Sequence, residues 1–338
     1  MKLPAERGVG HYHCFSRVVD RRKIMGIEEK ERFVSLMREL EQFCEVQVLT
    51  YCVMANHFHI LVEVKPPPPM DARPTMEAII DKLSQLTGHQ SVGTLRQLLA
   101  SLRNQGDEQG EQELLALYHA RLWDVSAFMK LLKQRFTQWY NARKGRTGTL
   151  WEDRFKSVLV EGSGTTVAAM AAYIDLNPLR AGLEEEPGQY RWSGYGEALA
   201  GRKQARAGIK RVAQALKGGK PMEWNEAIAL YRMSLFRSGD ERREGLNEEG
   251  KPIRGTLKAA AVENVVARKG RVPIKEYVRR RVRYFCDGAA IGGRTFVEEM
   301  FQTFRPRFGP KRKNGARRMR GVNEKLYVLR DLQTNLFG

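Results

Sequence analysis

Two β-prone runs, VQVLTYCVM (46–54) and HFHILVEV (57–64), are separated by Ala55-Asn56 alone. Two residues between strands leave the chain one return path, a tight antiparallel hairpin. An isolated hairpin is marginal in water, so its neighbours must supply a sheet and a core. Upstream lies a third β-prone run, HYHCFSRVV (11–19), followed by IEEKERFVSLMRELEQF (27–43), in which Ile27, Phe33, Leu36, Met37 and Leu40 share one helical face. Downstream, KPPPPMDARP (65–74) interrupts any regular element. Residues 75–122 read as an inserted helical hairpin broken by the polar stretch NQGDEQGEQ. A basic amphipathic helix (126–143) and the strand FKSVLVE (155–161) come next. Strand, helix, strand, strand, helix, strand is the ferredoxin-like order, a sheet covered on one face by helices. One more helix (166–176), capped by Thr165 or Thr166, runs up to Asn177-Pro178.

The fold class expected is therefore α+β, a ferredoxin-like βαββαβ domain over 1–200 with the helical insert at 75–122. Past about residue 200 the composition turns helical, Gly-punctuated and basic, which places a boundary near 200–220 and a mainly α-helical basic domain over 201–338. Charge marks the same division. Residues 1–200 hold 25 Lys+Arg and 25 Asp+Glu, so the net charge of +19 lies wholly beyond residue 200. A polyanion is the natural partner of such a segment, because each neutralised phosphate releases a counterion. No run of about 18–20 apolar residues is present to span a membrane. The N-terminal MKLPAERGVGHYHCF lacks the apolar stretch of a signal peptide. Cys14, Cys44, Cys52 and Cys286 fall at no CxxC spacing and read as buried thiols of a cytoplasmic protein.

His57 and His59 flank Phe58, and strand alternation sends both imidazoles to one face and Phe58 to the other. Two neutral imidazoles side by side are two-thirds of a divalent-metal site. Taken alone, an HxH pair is more often an ordinary polar strand face. In AAYIDLNP (171–178), Tyr173 and Asn177 stand four apart, one helical turn. A tyrosine can attack a phosphodiester when a cation polarises the phosphoryl oxygen, and Asn177 offers a carbonyl oxygen as third ligand for Mg²⁺ or Mn²⁺. Taken alone, Tyr173 is more often a packing aromatic.

The run YCVMANHFHILVEV (51–64), with WEDRF (151–155), AAYIDLNPLRAGL (171–183) and YRWSGY (190–195), resembles the single-tyrosine HUH transposases, and most closely the REP-associated tyrosine transposases. The resemblance covers nearly all of 8–196. It implies that His57 and His59 bind the metal, that Tyr173 is the nucleophile and that Asn177 is the polar ligand after it. It further implies cleavage of single-stranded DNA beside imperfect hairpins through a 5′-phosphotyrosine intermediate, leaving a 3′-hydroxyl that can reverse the reaction. The alternative within the same descent is a hairpin-binding repressor with weak or lost cleavage. A metal-dependent nuclease using water would leave no covalent adduct.

Lys130, Lys133, Arg135, Arg143, Lys144, Arg146, Arg154 and Lys156, interleaved with Trp139, Tyr140 and Trp151, are the cations expected to grip single-stranded or hairpin DNA. Beyond residue 200, IKEYVRRRVRYFC (274–286), DGAAIGG (287–293) and RTFVEEMFQTF (294–304) are compatible with a helix-turn-helix for duplex DNA. FGPKRKNGARRMRG (308–321) is a candidate phosphate-binding segment. His11 and His13 form a second HxH, expected to line the DNA surface or face solvent and the main competitor for the metal. A monomer or homodimer, cytoplasmic and nucleoid-associated, with no membrane partner, completes the expectation.

Overall fold

The computed structural model describes residues 1–86, 89–184, 186–237, 285–319 and 326–330. The hairpin is where the spacing put it. Strand β2 (Val46–Val53) turns into β3 (His57–Val64) through Ala55-Asn56, and the Met54 N–H donates to the His57 carbonyl at 2.8 Å. Strand β1 (Gly10–Arg17) pairs antiparallel with β3 on one side and with β4 (Lys156–Val160) on the other. The resulting order β2-β3-β1-β4 is that of a ferredoxin-like sheet.

Alternation along these strands builds two cores. One side chain set, with Tyr12, Cys14, Val48, Phe58, Ile60 and Val62, meets helix α1 (Ile27–Phe43) and the long helix from Val125 to Lys144. Phe33, Phe58, Phe136 and Trp151 interlock there, with the Phe33 and Phe58 rings 4.7 Å apart. Each such buried aromatic contributes about 1.5–3 kcal/mol. Between β3 and that helix come α2 (Met76–Leu86), α3 (His89–Asn104) and α4 (Glu108–His119), which hold a small core of their own around Met76, Ile80, Val92, Leu95 and Leu99. The long helix is therefore α5, N-capped by Asp124 and ended by Gly145 at φ 58°.

The opposite sheet face is not open. Helix α6 (Gly164–Asp175) is apolar on all sides, and every residue from Thr166 to Asp175 is buried. It lies between the sheet and the later helices, so helices cover both faces, not one. Its N-cap is Ser163 rather than Thr165 or Thr166, and Thr166 instead shares hydrogen bonds with Ser163 and Glu161. A short α7 (Asn177–Arg180) and α8 (Gly194–Leu199) follow.

The expected boundary at 200–220 coincides with no gap in the packing. Helix α9 (Lys203–Leu216) presses Ala205, Ile209 and Val212 into the second core, beside α6 and β2, and α10 (Trp224–Arg237) packs against α9. Gly208 is the reason α9 comes so close, because a Cβ there would collide with the carbonyl oxygens of Val48 and Leu49. Arg211 also reaches from α9 to the buried Glu63 of β3 at 2.9 Å. Strand β5 (Ala290–Gly292) pairs parallel with β4, and two more short strands, β6 (Ala316–Arg318) and β7 (Tyr327–Leu329), extend the sheet to seven in the order β2-β3-β1-β4-β5-β7-β6. The basic region thus adds strands as well as helices. Half of the expected helix-turn-helix, residues 274–284, lies outside the described residues. Its turn is replaced by β5, buried between β4 and β7, so α11 (Arg294–Thr303) follows a strand and not a recognition turn.

Candidate active site

Register brings the site together. Arg17 stands opposite His57 and Phe15 opposite His59 across β1 and β3, while Lys156 stands opposite Phe15 across β1 and β4. All point to the α6 face. Over them lies a cleft of about 710 Å³ lined by His57, His59, Tyr173, Asn177 and Cys286, with Arg17, Arg21, Arg154 and Lys156 among the cations around it. The four residues singled out as metal ligands and nucleophile therefore share one cavity, although 114 positions separate His59 from Tyr173.

The two histidines are held as neutral bases. Burial, and after it the Arg17 guanidinium, pushes the His57 imidazolium down to about 4. Burial, with His13 and His57 beside it, pushes His59 well below the usual histidine range. The Nδ1 of His57 lies 2.7 Å from Asn56 Oδ1, and the Nδ1 of His59 lies 2.9 Å from His13 Nε2. The two rings meet edge to face at 5.2 Å.

Tyr173 sits at the floor, 1% exposed, stacked on Phe285 at 4.6 Å and edge-on to His59 at 5.7 Å. Its hydroxyl is 3.1 Å from Cys286 Sγ. Burial, and then the Cys286 thiol, pushes the phenol well above its ordinary range, so it is a proton-bearing hydroxyl here. Asn177 donates through Nδ2 to the carbonyls of Tyr173 and Ile174 at 3.0 and 3.1 Å, so neither bond uses its Oδ1. Arg180 donates to the Tyr173 carbonyl at 2.7 Å and lies 5.0 Å from its ring. Two neutral imidazoles and an amide carbonyl are a donor set suited to a divalent cation. A second set is present among the described residues: ligand atoms of His13, His59 and Cys286 all lie within 4.8 Å of one another.

Of the eight cations expected on DNA, Arg154 and Lys156 line the cleft. Lys133 donates to the Asp153 carbonyl at 2.6 Å beside it, and burial lowers its ammonium to about 8. Arg143 and Lys144 are instead paired with Glu28 and Glu29 of α1, and Arg135 donates to the Leu86 carbonyl at 3.0 Å. Arg146 lies 5.8 Å from the Tyr140 ring, and Lys130 is exposed on α5. Trp151 is a core residue, donating to Thr137 Oγ1 at 3.0 Å, and Trp139 packs 5.7 Å from Phe136. His11 and His13 do not face solvent or a DNA surface. Both are buried, His11 against Glu63 at 3.1 Å and His13 behind His59. Sequence reasoning passed over Arg17, Arg21, Phe285 and Cys286. Arg17 was within reach, since pairing 11–19 with 57–64 sets it opposite His57; the others depend on tertiary packing.

Residues 9–91 match the family model of IS200-like transposases. The match spans about a quarter of the chain, from β1 through the hairpin to the start of α3, and takes in both cleft histidines but stops short of Tyr173. It bears out the family resemblance drawn from the motifs. No curated protein matches the chain. A solved structure described as the REP-associated tyrosine transposase bound to a REP hairpin aligns over 57% of this chain and 80% of its own, at 11% identity and a TM-score of 0.36.

Proposed function

We propose that the chain cleaves and rejoins single-stranded DNA at hairpin-associated sites, with Tyr173 as nucleophile and His57, His59 and Asn177 holding Mg²⁺ or Mn²⁺. The observation that carries this reading is the convergence of those four side chains on one cation-rimmed cleft within a transposase-like sheet. Arg17, Arg21, Arg154 and Lys156, which line the same cleft, would hold the phosphates that flank the scissile group. A bound divalent cation would polarise the phosphoryl oxygen and orient the group for attack. The Tyr173 hydroxyl then attacks phosphorus, the bond from phosphorus to the 3′ oxygen breaks, and the phenolic proton ends on the released 3′-hydroxyl by way of solvent. One phosphodiester replaces another, so rejoining needs no external energy source. Proteins of this kind would work in the cytoplasm on the nucleoid, as monomer or homodimer; among the described residues no helix is long and apolar enough to cross a membrane.

The alternative, a hairpin-binding repressor with weak or lost cleavage, has one observation in its favour. Tyr173 is nearly inaccessible, and its hydroxyl is occupied by Cys286. One experiment separates the readings. Incubated with Mn²⁺ and a single-stranded hairpin substrate, the chain is expected to give an SDS-resistant protein–DNA band. Tyr173→Phe should abolish that band and leave DNA affinity within a few-fold, since only a hydroxyl is removed. Tight binding with no band from the parent chain would favour the repressor. A band that survives Tyr173→Phe would move the nucleophile elsewhere.

A further inference from the structure

We propose that His13 is a positioning residue for His59: clamped by the Phe285 carbonyl, its imidazole fixes the His59 ring with the Nε2 lone pair available to a cation. The inference rests on the reading of His57 and His59 as metal ligands. His13 is fully buried and does not line the cleft, so it is not itself placed to touch DNA. Both of its ring nitrogens are engaged, Nδ1 at 3.0 Å from the Phe285 carbonyl oxygen and Nε2 at 2.9 Å from His59 Nδ1. A carbonyl oxygen can only accept, so Nδ1 of His13 carries the proton. In a neutral ring Nε2 is then bare and accepts from His59 Nδ1–H. Neutral His59 is left with an unprotonated Nε2, the form in which imidazole binds a metal. Both rings are buried, and the partners that fix them are a peptide carbonyl and each other. The His13 ring centre lies 5.1 Å from that of His59 and 5.1 Å from that of Phe15, so both neighbours flank it closely.

His57 is set by the same logic from another backbone carbonyl. Asn56 donates through Nδ2 to the Arg21 carbonyl at 3.0 Å, which turns its Oδ1 toward His57 Nδ1 at 2.7 Å. His57 Nδ1 is thus the donor and its Nε2 is bare. Two peptide carbonyls, one at residue 21 and one at residue 285, decide the tautomer of both ligands. The clamp on His59 comes from the region beyond residue 200. A cation seated among His13, His59 and Cys286 instead, bound through His13 Nε2, would break the His13–His59 bond and leave the bond to the Phe285 carbonyl in place.

The test uses the full-length chain, Mn²⁺ alone by titration calorimetry, and selectively ¹⁵N-labelled histidine by NMR. His13→Gln can offer Oε1 in place of Nε2 and should bind Mn²⁺ within a few-fold of the parent. His13→Leu has no acceptor and should weaken Mn²⁺ about 10- to 100-fold, the usual effect of removing a ligand's outer hydrogen bond. Cys286→Ser should leave the affinity unchanged. The NMR spectrum of the parent should show His59 protonated at Nδ1 and bare at Nε2, a readout that does not depend on any variant folding. His13→Leu binding as the parent does, a weakening with Cys286→Ser equal to that with His13→Leu, or the reverse His59 tautomer would each overturn the relay. If no DNA adduct ever forms while Mn²⁺ affinity still follows His13 as described, the relay stands and the strand-transfer reading fails.

Discussion

Tyr173 and Asp175 are two residues apart on one helix and end in opposite surroundings. The tyrosine reaches the cleft floor, whereas Asp175, the last residue of α6, is fully buried, accepting from Thr50 Oγ1 at 2.8 Å, the Tyr195 N–H at 3.3 Å and the Tyr231 hydroxyl. Desolvation outweighs these three donors and pushes the carboxyl up from 3.8 to about 7. A carboxyl whose folded value is raised adds stability that is complete below its unfolded value and is lost as pH rises through the folded one. The window is therefore about pH 4 to 7. The histidines of the site act the other way, since lowered values for His13 and His57 cost stability as pH falls from 6.5 toward 4. Asp175→Asn isolates the carboxylate. Its stability relative to the parent should rise between pH 5 and 8, by a few kcal/mol at most on the order set by such a shift. Urea melts at both pH values check this, and a difference independent of pH would rule out Asp175 as the titrating group.

At the level of elements, α6 works as a wedge whose two sides are both covered, by the sheet and by α9 with α10. It holds Tyr173 beside His59 of β3 while α9 packs on its other side. The close seat of α9 on β2 depends on Gly208, which faces the Val48 and Leu49 carbonyls at the irregularity in β2 near residue 49. Gly208→Ala places a methyl where backbone oxygen already stands, and neither backbone can yield cheaply. The expected cost is about 1–3 kcal/mol, the range for overpacking a tight core, despite the gain alanine brings to an isolated helix. A thermal midpoint equal to or above the parent's would show that α9 is looser on β2 than this close approach implies.

Over the whole molecule, the charged half and the chemical half are joined at the cleft. Phe285 and Cys286 touch Tyr173, and Asp287 on the cleft wall pairs with Arg330 at 3.0 Å. Arg312 donates to the Arg330 carbonyl, which brings the exposed Lys311 and Lys313 to the same end of the sheet. If this end carries DNA, replacing both lysines with Gln should lower the slope of log affinity against log salt by about 0.7–0.9 for each phosphate that is no longer neutralised. An unchanged slope would assign the basic segment to another partner. A fragment ending at residue 200 lacks α9, β5 and the Phe285 carbonyl together. It should be insoluble or show no cooperative melt, because the apolar faces of α6 and β4 would be bared. A soluble, cooperatively melting fragment would restore the boundary near 200–220 as a true domain edge.

The hairpin at 46–64, α1, α5, and the shared face of His57 and His59 were legible from the sequence, because period and turn length are local properties of the chain. So was the spacing of Tyr173 and Asn177, although their approach to the histidines came from a family resemblance and not from periodicity. Three features were not legible. Helices on both sheet faces could not be read from α6, since an all-apolar helix does not reveal how many neighbours bury it. The short strands β5, β6 and β7 have three residues each, too few for alternation to register, and β5 forms only because β4 and β7 satisfy its backbone. His13 resembled an exposed histidine until β1 was set between β3 and β4 and Phe285 closed over it. Local pattern, read with the family resemblance, marked the candidate side chains. Only tertiary packing decided which carbonyl holds each imidazole, because a hydrogen-bond partner 272 positions away leaves no mark in a sequence window.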